Sequence, residues 1–194
     1  MLITSDFEVE QPVDDVWTFF GDIPGVAKCL PGADLTDQIG DDNFVGNVLI
    51  RLGPVKLEFI GKATIVERNA ESKQIVVDAA GADKKGRGQA GLMLTAKLSS
   101  TPKGTKVTVT QDLQLSGAAA QYGRGLVSDV TSVLMADFAT NMQNRLIAIK
   151  SGRSADDVST VKPASGLVIG LRAVRMALLR VFRRFFLPYR PQPS

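Results

Sequence analysis

Apolar and polar residues alternate with period two through most of positions 44–115. In 44–52 the even positions are Phe44, Gly46, Val48, Ile50 and Leu52, set against Asn47 and Arg51. In 55–65 the odd positions are Val55, Leu57, Phe59, Gly61, Ala63 and Ile65, set against Lys56, Glu58 and Lys62. Ile75, Val77 and Ala79 share a face. So do Gly88, Ala90, Leu92, Leu94, Ala96 and Leu98, and then Val107, Val109, Leu113 and Leu115. A chain of this kind folds into antiparallel strands with one wet and one dry face. Turn signals punctuate it: Gly40-Asp41-Asp42, Gly53-Pro54, the polar run 68–73, Asp83–Gly86 and Pro102–Gly104. Leu2–Glu10 reads as a further strand with Ile3, Phe7 and Val9 inward.

Two stretches break the alternation. In Pro12–Leu30, Val13, Val16, Trp17 and Phe20 follow helical spacing, and Gly21 and Pro24 divide the stretch into two short helices. In 118–150, Leu126, Val130, Val133, Leu134, Phe138, Met142, Leu146 and Ile149 form an i, i+3/i+4 stripe along one long helix. The order is a strand, two short helices, about six antiparallel strands and a long helix. This is an α+β fold in which the helix covers a curved sheet. No internal repeat is visible.

The inward face is unusually small. Gly46, Gly61, Ala63, Ala79, Gly88, Ala90 and Ala96 occupy positions where a packed core favours larger side chains. A closely approaching helix, an apolar cavity for a ligand, or strand bends at the glycines each account for this. Gln111, between Val109 and Leu113, is the polar misfit on that face; its amide either bonds a ligand carbonyl, bonds backbone, or turns outward at a bulge. Parity and helix spacing make Trp17, Phe20, Leu30, Phe44, Val48, Phe59, Gly61, Ala90, Leu92, Leu94, Gln111, Leu113, Leu126, Val130, Leu134 and Phe138 the candidate cavity residues.

Beyond this body, 1–150, the charge changes sign. Residues 1–150 hold 15 Lys/Arg against 18 Asp/Glu, a net of −3; residues 151–194 hold 8 against 2, a net of +6. The body is therefore no nucleic-acid binder by charge. Residues 151–165, SGRSADDVSTVKPAS, read as a flexible linker with a reach of about 20 Å. Residues 166–187 then pattern as an amphipathic helix. Leu167, Leu171, Val174, Leu178, Val181, Phe182 and Phe185 lie on one face; Arg172, Arg175, Arg180, Arg183 and Arg184 lie on the other. A spanning helix is excluded by cost, since each Arg near a bilayer centre is penalised by about 2.5–3.5 kcal/mol. Lying among anionic headgroups, or docking on a partner protein or another subunit, are the two uses such a segment has. The Pro-rich end, 188–194, stops it.

The chain contains no histidine, which removes the commonest general base and metal ligand. The lone Cys29 forms no intrachain disulfide, and MLITSDFEVE is not a signal peptide, so the expected setting is cytosolic, facing the inner leaflet. The run Lys84-Lys85-Gly86-Arg87-Gly88 lacks phosphate-loop spacing and reads as a solvated turn. The acid pairs Asp14-Asp15, Asp41-Asp42 and Asp156-Asp157 cap or solubilise. Nothing here forms a convincing catalytic pair, and no metal site is expected.

The phrases Phe7-Glu8-Val9, Val13-Asp14-Asp15-Val16-Trp17, Cys29-Leu30-Pro31-Gly32-Ala33, Leu52-Gly53-Pro54-Val55 and Gly117–Gly123 (GAAAQYG) resemble the carbon monoxide dehydrogenase G-subunit family over essentially all of 1–150. The resemblance implies a Bet v 1-like (START-like, SRPBCC) helix-grip domain: a curved antiparallel sheet around a long C-terminal helix, with an apolar cavity. It implies a non-enzymatic partner of a carbon monoxide dehydrogenase-type molybdenum hydroxylase, tethering that enzyme to anionic inner-membrane lipids. It also implies a link to the respiratory quinone pool, with menaquinone or a similar prenylated quinone as bound ligand. No catalytic residues carry over. A recruitment adaptor without a lipid ligand is the other reading of the same resemblance.

Overall fold

A computed structural model of the chain describes residues 1–52 and 55–153. The Gly53-Pro54 turn, all but the first three linker residues, and the amphipathic segment 166–187 lie outside the described residues. Seven antiparallel strands form one sheet in the order β1-β7-β6-β5-β4-β3-β2. They are β1 (Leu2–Val9), β2 (Ala33–Ile39), β3 (Asn43–Leu52), β4 (Val55–Asn69), β5 (Gln74–Asp83), β6 (Gln89–Thr101) and β7 (Gly104–Leu115). Between β1 and β2 come α1 (Val13–Gly21) and α2 (Ile23–Ala27); after β7 come a 3-10 turn (Gly117–Tyr122) and α3 (Gly123–Lys150). This is the curved sheet and long helix that the alternation predicts.

The helices start and stop for local reasons. α1 carries Asp14 and Asp15 in its first turn, where acids suit the exposed N–H groups. The Asp22 side chain caps α2 by accepting from the Gly25 N–H at 3.1 Å. Gly152, at φ +71°, ends α3, while Arg153 N–H returns to the Ala148 carbonyl at 3.0 Å and Ser151 Oγ donates to the Ile147 carbonyl at 2.9 Å.

Three details depart from the sequence reading. The helical stretch from 118 opens as 3-10 and becomes α only at Gly123. Gly88 lies just ahead of β6, not within it, where a Cβ would stand 2.2 Å from the Ser116 carbonyl oxygen. Ile149 is exposed, not part of the buried stripe, and Asn141 and Arg145 are buried on α3 instead.

Register fixes the concave face. Phe44, Ala63, Ala79, Leu92 and Leu113 lie opposite one another across five strands. One row toward the hairpin end run Leu35, Gly46, Gly61, Gly81, Ala90 and Leu115; one row the other way run Ile65, Val77, Leu94, Gln111 and Ile3. A Cβ at Gly61 would sit 2.0 Å from the Ala80 carbonyl oxygen and 2.5 Å from Gly81 Cα. The glycine is therefore required by crowding between neighbouring strands where the sheet bends. A close helix is not the reason at this position, since the atoms nearest that Cβ are all backbone of the neighbouring strand.

Candidate ligand site on the concave face

Two apolar clusters fill the ends of the space between the sheet and α3. The larger joins α1 and α2 to the C-terminal half of α3 through Val16, Phe19, Phe20, Phe44, Val109, Phe138, Met142 and Leu146. Within it Phe7 and Phe138 meet edge to face, their ring centres 5.8 Å apart. The smaller joins Leu57, Phe59 and Ala119 to Val130, with Ile50, Ala90, Leu115, Leu126 and Leu134 packed around it. Between them the register row Ala63, Ala79, Leu92 and Leu113 belongs to neither cluster, and each of its residues is partly exposed although it faces inward. α3 supplies Leu126, Val130 and Leu134 to the smaller cluster and Phe138 and Met142 to the larger, so it flanks this centre on both sides. The result is an apolar floor of partly exposed side chains between two packed clusters.

Gln111 borders this floor, one register row from Leu92 and Leu113. β7 pairs in unbroken register with both β1 and β6 around it, so no bulge turns the side chain outward. It is 6% exposed, and its Nε2 is buried without an acceptor. A buried donor left unmade costs about 1–3 kcal/mol. Of the uses the sequence allows for this amide, a backbone bond through Nε2 and an outward turn are both absent here.

The candidate cavity residues separate accordingly. Phe20, Phe44 and Phe138 are packed in the larger cluster, with Trp17, Leu30 and Leu94 against its edge. Phe59, Val130, Ala90, Leu126 and Leu134 belong to the smaller one. Gly61, Leu92, Gln111 and Leu113 stand with Ala63 and Ala79 around the centre, assigned to neither cluster; Val48, opposite Phe59 and two register rows away, also belongs to neither. The Trp17 ring lies under Lys73 Nζ, 5.6 Å from its centroid, and Lys73 pairs with Asp14 at 2.7 Å.

Other polar groups serve structure. Asn141 Nδ2 donates to the Cys29 carbonyl at 3.0 Å. Burial pushes the Cys29 thiol up to about 12, reinforced by Asp22 and opposed by Arg145, so Cys29 is no nucleophile at neutral pH. Asp83, inward at the end of β5, is held by Arg87: Nε donates to Oδ2 at 2.7 Å and Nη2 to Oδ1 at 2.8 Å. Hydrogen bonding from the Arg87 side chain is the main reason its carboxyl sits well below the usual carboxylate range. The turn 84–88 is thus built around a buried acid rather than merely solvated, a role no spacing rule signals. Among the described residues no group of three or more His, Cys, Asp or Glu is placed to hold a metal.

On the convex side an open groove of about 760 Å³ runs past Val45, Ile60, Lys62, Ala80, Ala82, Gly91 and Gln114. It is broad and open to solvent. No helix among the described residues is long and apolar enough to cross a membrane.

Solved structures match this fold. A conserved protein from Geobacillus kaustophilus is 20% identical, with 76% of this chain and 95% of that one covered and a TM-score of 0.67. The ZhuI aromatase/cyclase from Streptomyces sp. R1128 is 12% identical over 80% and 97%, with a TM-score of 0.57. Ara h 8.0201 is 11% identical over 76% and 98%, with a TM-score of 0.51. At these identities the likeness concerns the fold, which is the Bet v 1-like helix-grip architecture. No curated protein sequence matches significantly. The family described as the G-subunit of carbon monoxide dehydrogenase (CoxG) matches residues 6–147. With most of the body inside that match, the chain belongs to the carbon monoxide dehydrogenase G-subunit (CoxG) family.

Proposed function

We propose that this chain is a ligand-binding carrier that serves a carbon monoxide dehydrogenase-type molybdenum hydroxylase. Its ligand is a menaquinone-like prenylated quinone, held on the concave face. The observation that carries this reading is the unpartnered, buried Nε2 of Gln111 beside an apolar floor of Ala63, Ala79, Leu92 and Leu113. A quinone offers what that site lacks: a carbonyl oxygen to accept from Nε2, and an apolar ring and chain to cover the floor. Its carbonyl recovers part of the desolvation cost that Gln111 carries when empty.

The segment 166–187, with its five arginines, rests on anionic lipid at the inner face of the membrane, and the linker lets the body move above it. The body takes quinone from the bilayer, presents it to the dehydrogenase for reduction, and returns the quinol. Because the bilayer is itself apolar, the gain on transfer is small, which suits exchange better than storage. No residue of the chain is assigned a chemical step.

The test is mass spectrometry of organic extracts from the purified full chain, followed by uptake from quinone-loaded vesicles. A prenylated quinone in stoichiometric amount is the expected result. A chain that carries none and takes none up, while still binding the dehydrogenase, would leave a recruitment adaptor without a lipid ligand.

A further inference from the structure

We infer that the hairpin end of the body is a docking surface for anionic lipid headgroups, formed by Arg51, Lys56, Lys85 and Arg124, which turns the less covered end of the concave face toward the bilayer. Its purpose rests on the carrier reading; its geometry does not.

Arg51 and Lys56 are direct cross-strand partners at the end of the β3–β4 pair. Like charges in that relation are destabilising. Arg51 Nε is in addition buried without an acceptor. The nearest acid on that strand face, Glu58, is taken by Lys84 at 3.1 Å. A negative group brought from outside relieves the like-charge repulsion and draws on the charge of an Arg51 guanidinium that no local acid neutralises.

The neighbouring hairpin fixes the arrangement. Arg87, gripped by Asp83, also donates from Nη2 to the Lys56 carbonyl at 2.6 Å, and the Lys84 N–H donates to the Glu58 carbonyl at 2.7 Å. The two hairpin ends are thereby joined, and both local acids are consumed inside the joint. Lys56 and Lys85 are left exposed. The Ala118 N–H of the 3-10 turn donates to the Arg87 carbonyl at 2.7 Å, bringing the start of α3, with exposed Arg124, to the same end. In a body of net −3 this is a segregation of cations, not a consequence of composition.

A membrane fits better than an acidic protein face because of what lies behind the rim. The smaller cluster is at this end, and Ile50, Leu126 and Leu134 are only partly covered. A lipid leaving here into water exposes its whole apolar surface; leaving against headgroups, it passes from floor to bilayer.

The experiment uses the full chain with an environment-sensitive label on Gln121→Cys, in the 3-10 turn, or on Lys103→Cys, in the β6–β7 turn at the opposite end. Buried Cys29 stays unlabelled. Acyl-brominated phosphatidylglycerol vesicles are expected to quench the label at 121 and not at 103; phosphatidylcholine vesicles quench neither. The triple variant Arg51→Gln/Lys56→Gln/Lys85→Gln is expected to weaken quenching at 121 by about tenfold or more in lipid concentration, with an unchanged or raised melting temperature. Equal quenching at both positions overturns the proposal. So does quenching that the triple variant leaves intact, or a triple variant that loses only dehydrogenase binding, which assigns the rim to the protein partner. A wild-type chain that orients this way yet holds no quinone leaves the docking surface standing and removes the carrier.

Discussion

Asn141 on α3 reaches across to Cys29 at the end of α2, its Nδ2 donating to the Cys29 main-chain carbonyl at 3.0 Å. Both residues are buried, Asn141 at 3% exposure and Cys29 at 0%. The bond ties the C-terminal half of the long helix to the short helices. Packed clusters lie at both ends of the space under the helix, with the partly exposed row of Ala63, Ala79, Leu92 and Leu113 between them.

Asn141→Ala deprives that carbonyl of its donor and opens a small void. The expected loss is about 2–3 kcal/mol. At roughly 2–4 °C per kcal/mol for a domain of this size, the melting temperature falls by about 4–12 °C. Thermal unfolding followed by circular dichroism measures it; a fall within about 1 °C sinks the assigned role.

Cys29 titrates far above the ordinary thiol value of 9.0, at about 12, because burial disfavours the thiolate. A raised folded value means the contribution is whole below 9 and is lost as pH rises from there toward 12. Denaturant midpoints of the wild type are expected to decline over that window more steeply than those of Cys29→Ala. At neutral pH, alkylation of the native chain is expected to track global unfolding; fast labelling of folded protein contradicts the burial argument.

Much of this fold is legible in the sequence. Period two places the inward residues of the described strands between Phe44 and Leu115, Gly88 excepted, because one dry face forces the pattern. β2 is harder to see: Asp34 and Asp37 dilute it, and a register shift between Leu35 and Asp37 breaks its alternation. Gln111 is visible as a misfit, yet parity cannot tell whether an amide finds a partner. Nor can it say which inward residues are packed and which are open. That depends on the distance of α3 from each strand, which Asn141 and Cys29 set from 112 positions apart. Asp83 looks like a turn residue because nothing local announces that Arg87 folds back to bury it.

The Asp83 carboxyl is depressed chiefly by Arg87, so its contribution is present at neutral pH and is lost on acidification below the usual carboxylate value of about 3.9. Asp83→Asn keeps the shape and removes the charge. It is expected to lower the melting temperature at about pH 7 and to flatten the fall in stability between about pH 4 and about pH 2. Melting curves across that range test this; parallel profiles for variant and wild type refute the pairing.

Gln111→Leu separates stability from binding. Replacing an unpartnered buried amide by an apolar group of similar size removes a desolvation cost, so the empty protein is expected to gain about 1–2 kcal/mol. Quinone affinity, which needs the donor, is expected to fall by about fivefold to thirtyfold, the equivalent of one hydrogen bond. Equilibrium unfolding and quinone titration of the same preparation read the two effects. A variant that is both less stable and unchanged in affinity contradicts the role given to Nε2.

Gly61→Ala and Ala79→Leu contrast crowding with space, although both add carbon to the same concave face. At Gly61 the new methyl meets the Ala80 carbonyl oxygen at 2.0 Å, a backbone atom that cannot swing away. Overpacking of that kind costs about 1–3 kcal/mol, and a lowered melting temperature is expected. At Ala79 the added atoms enter the open centre between the clusters, so stability is expected to hold within about 1 kcal/mol or to rise. Quinone uptake should then fail, because the side chain occupies the floor that the ring and chain would cover. If Ala79→Leu destabilises as much as Gly61→Ala, the centre is packed rather than open, and the carrier reading loses its site.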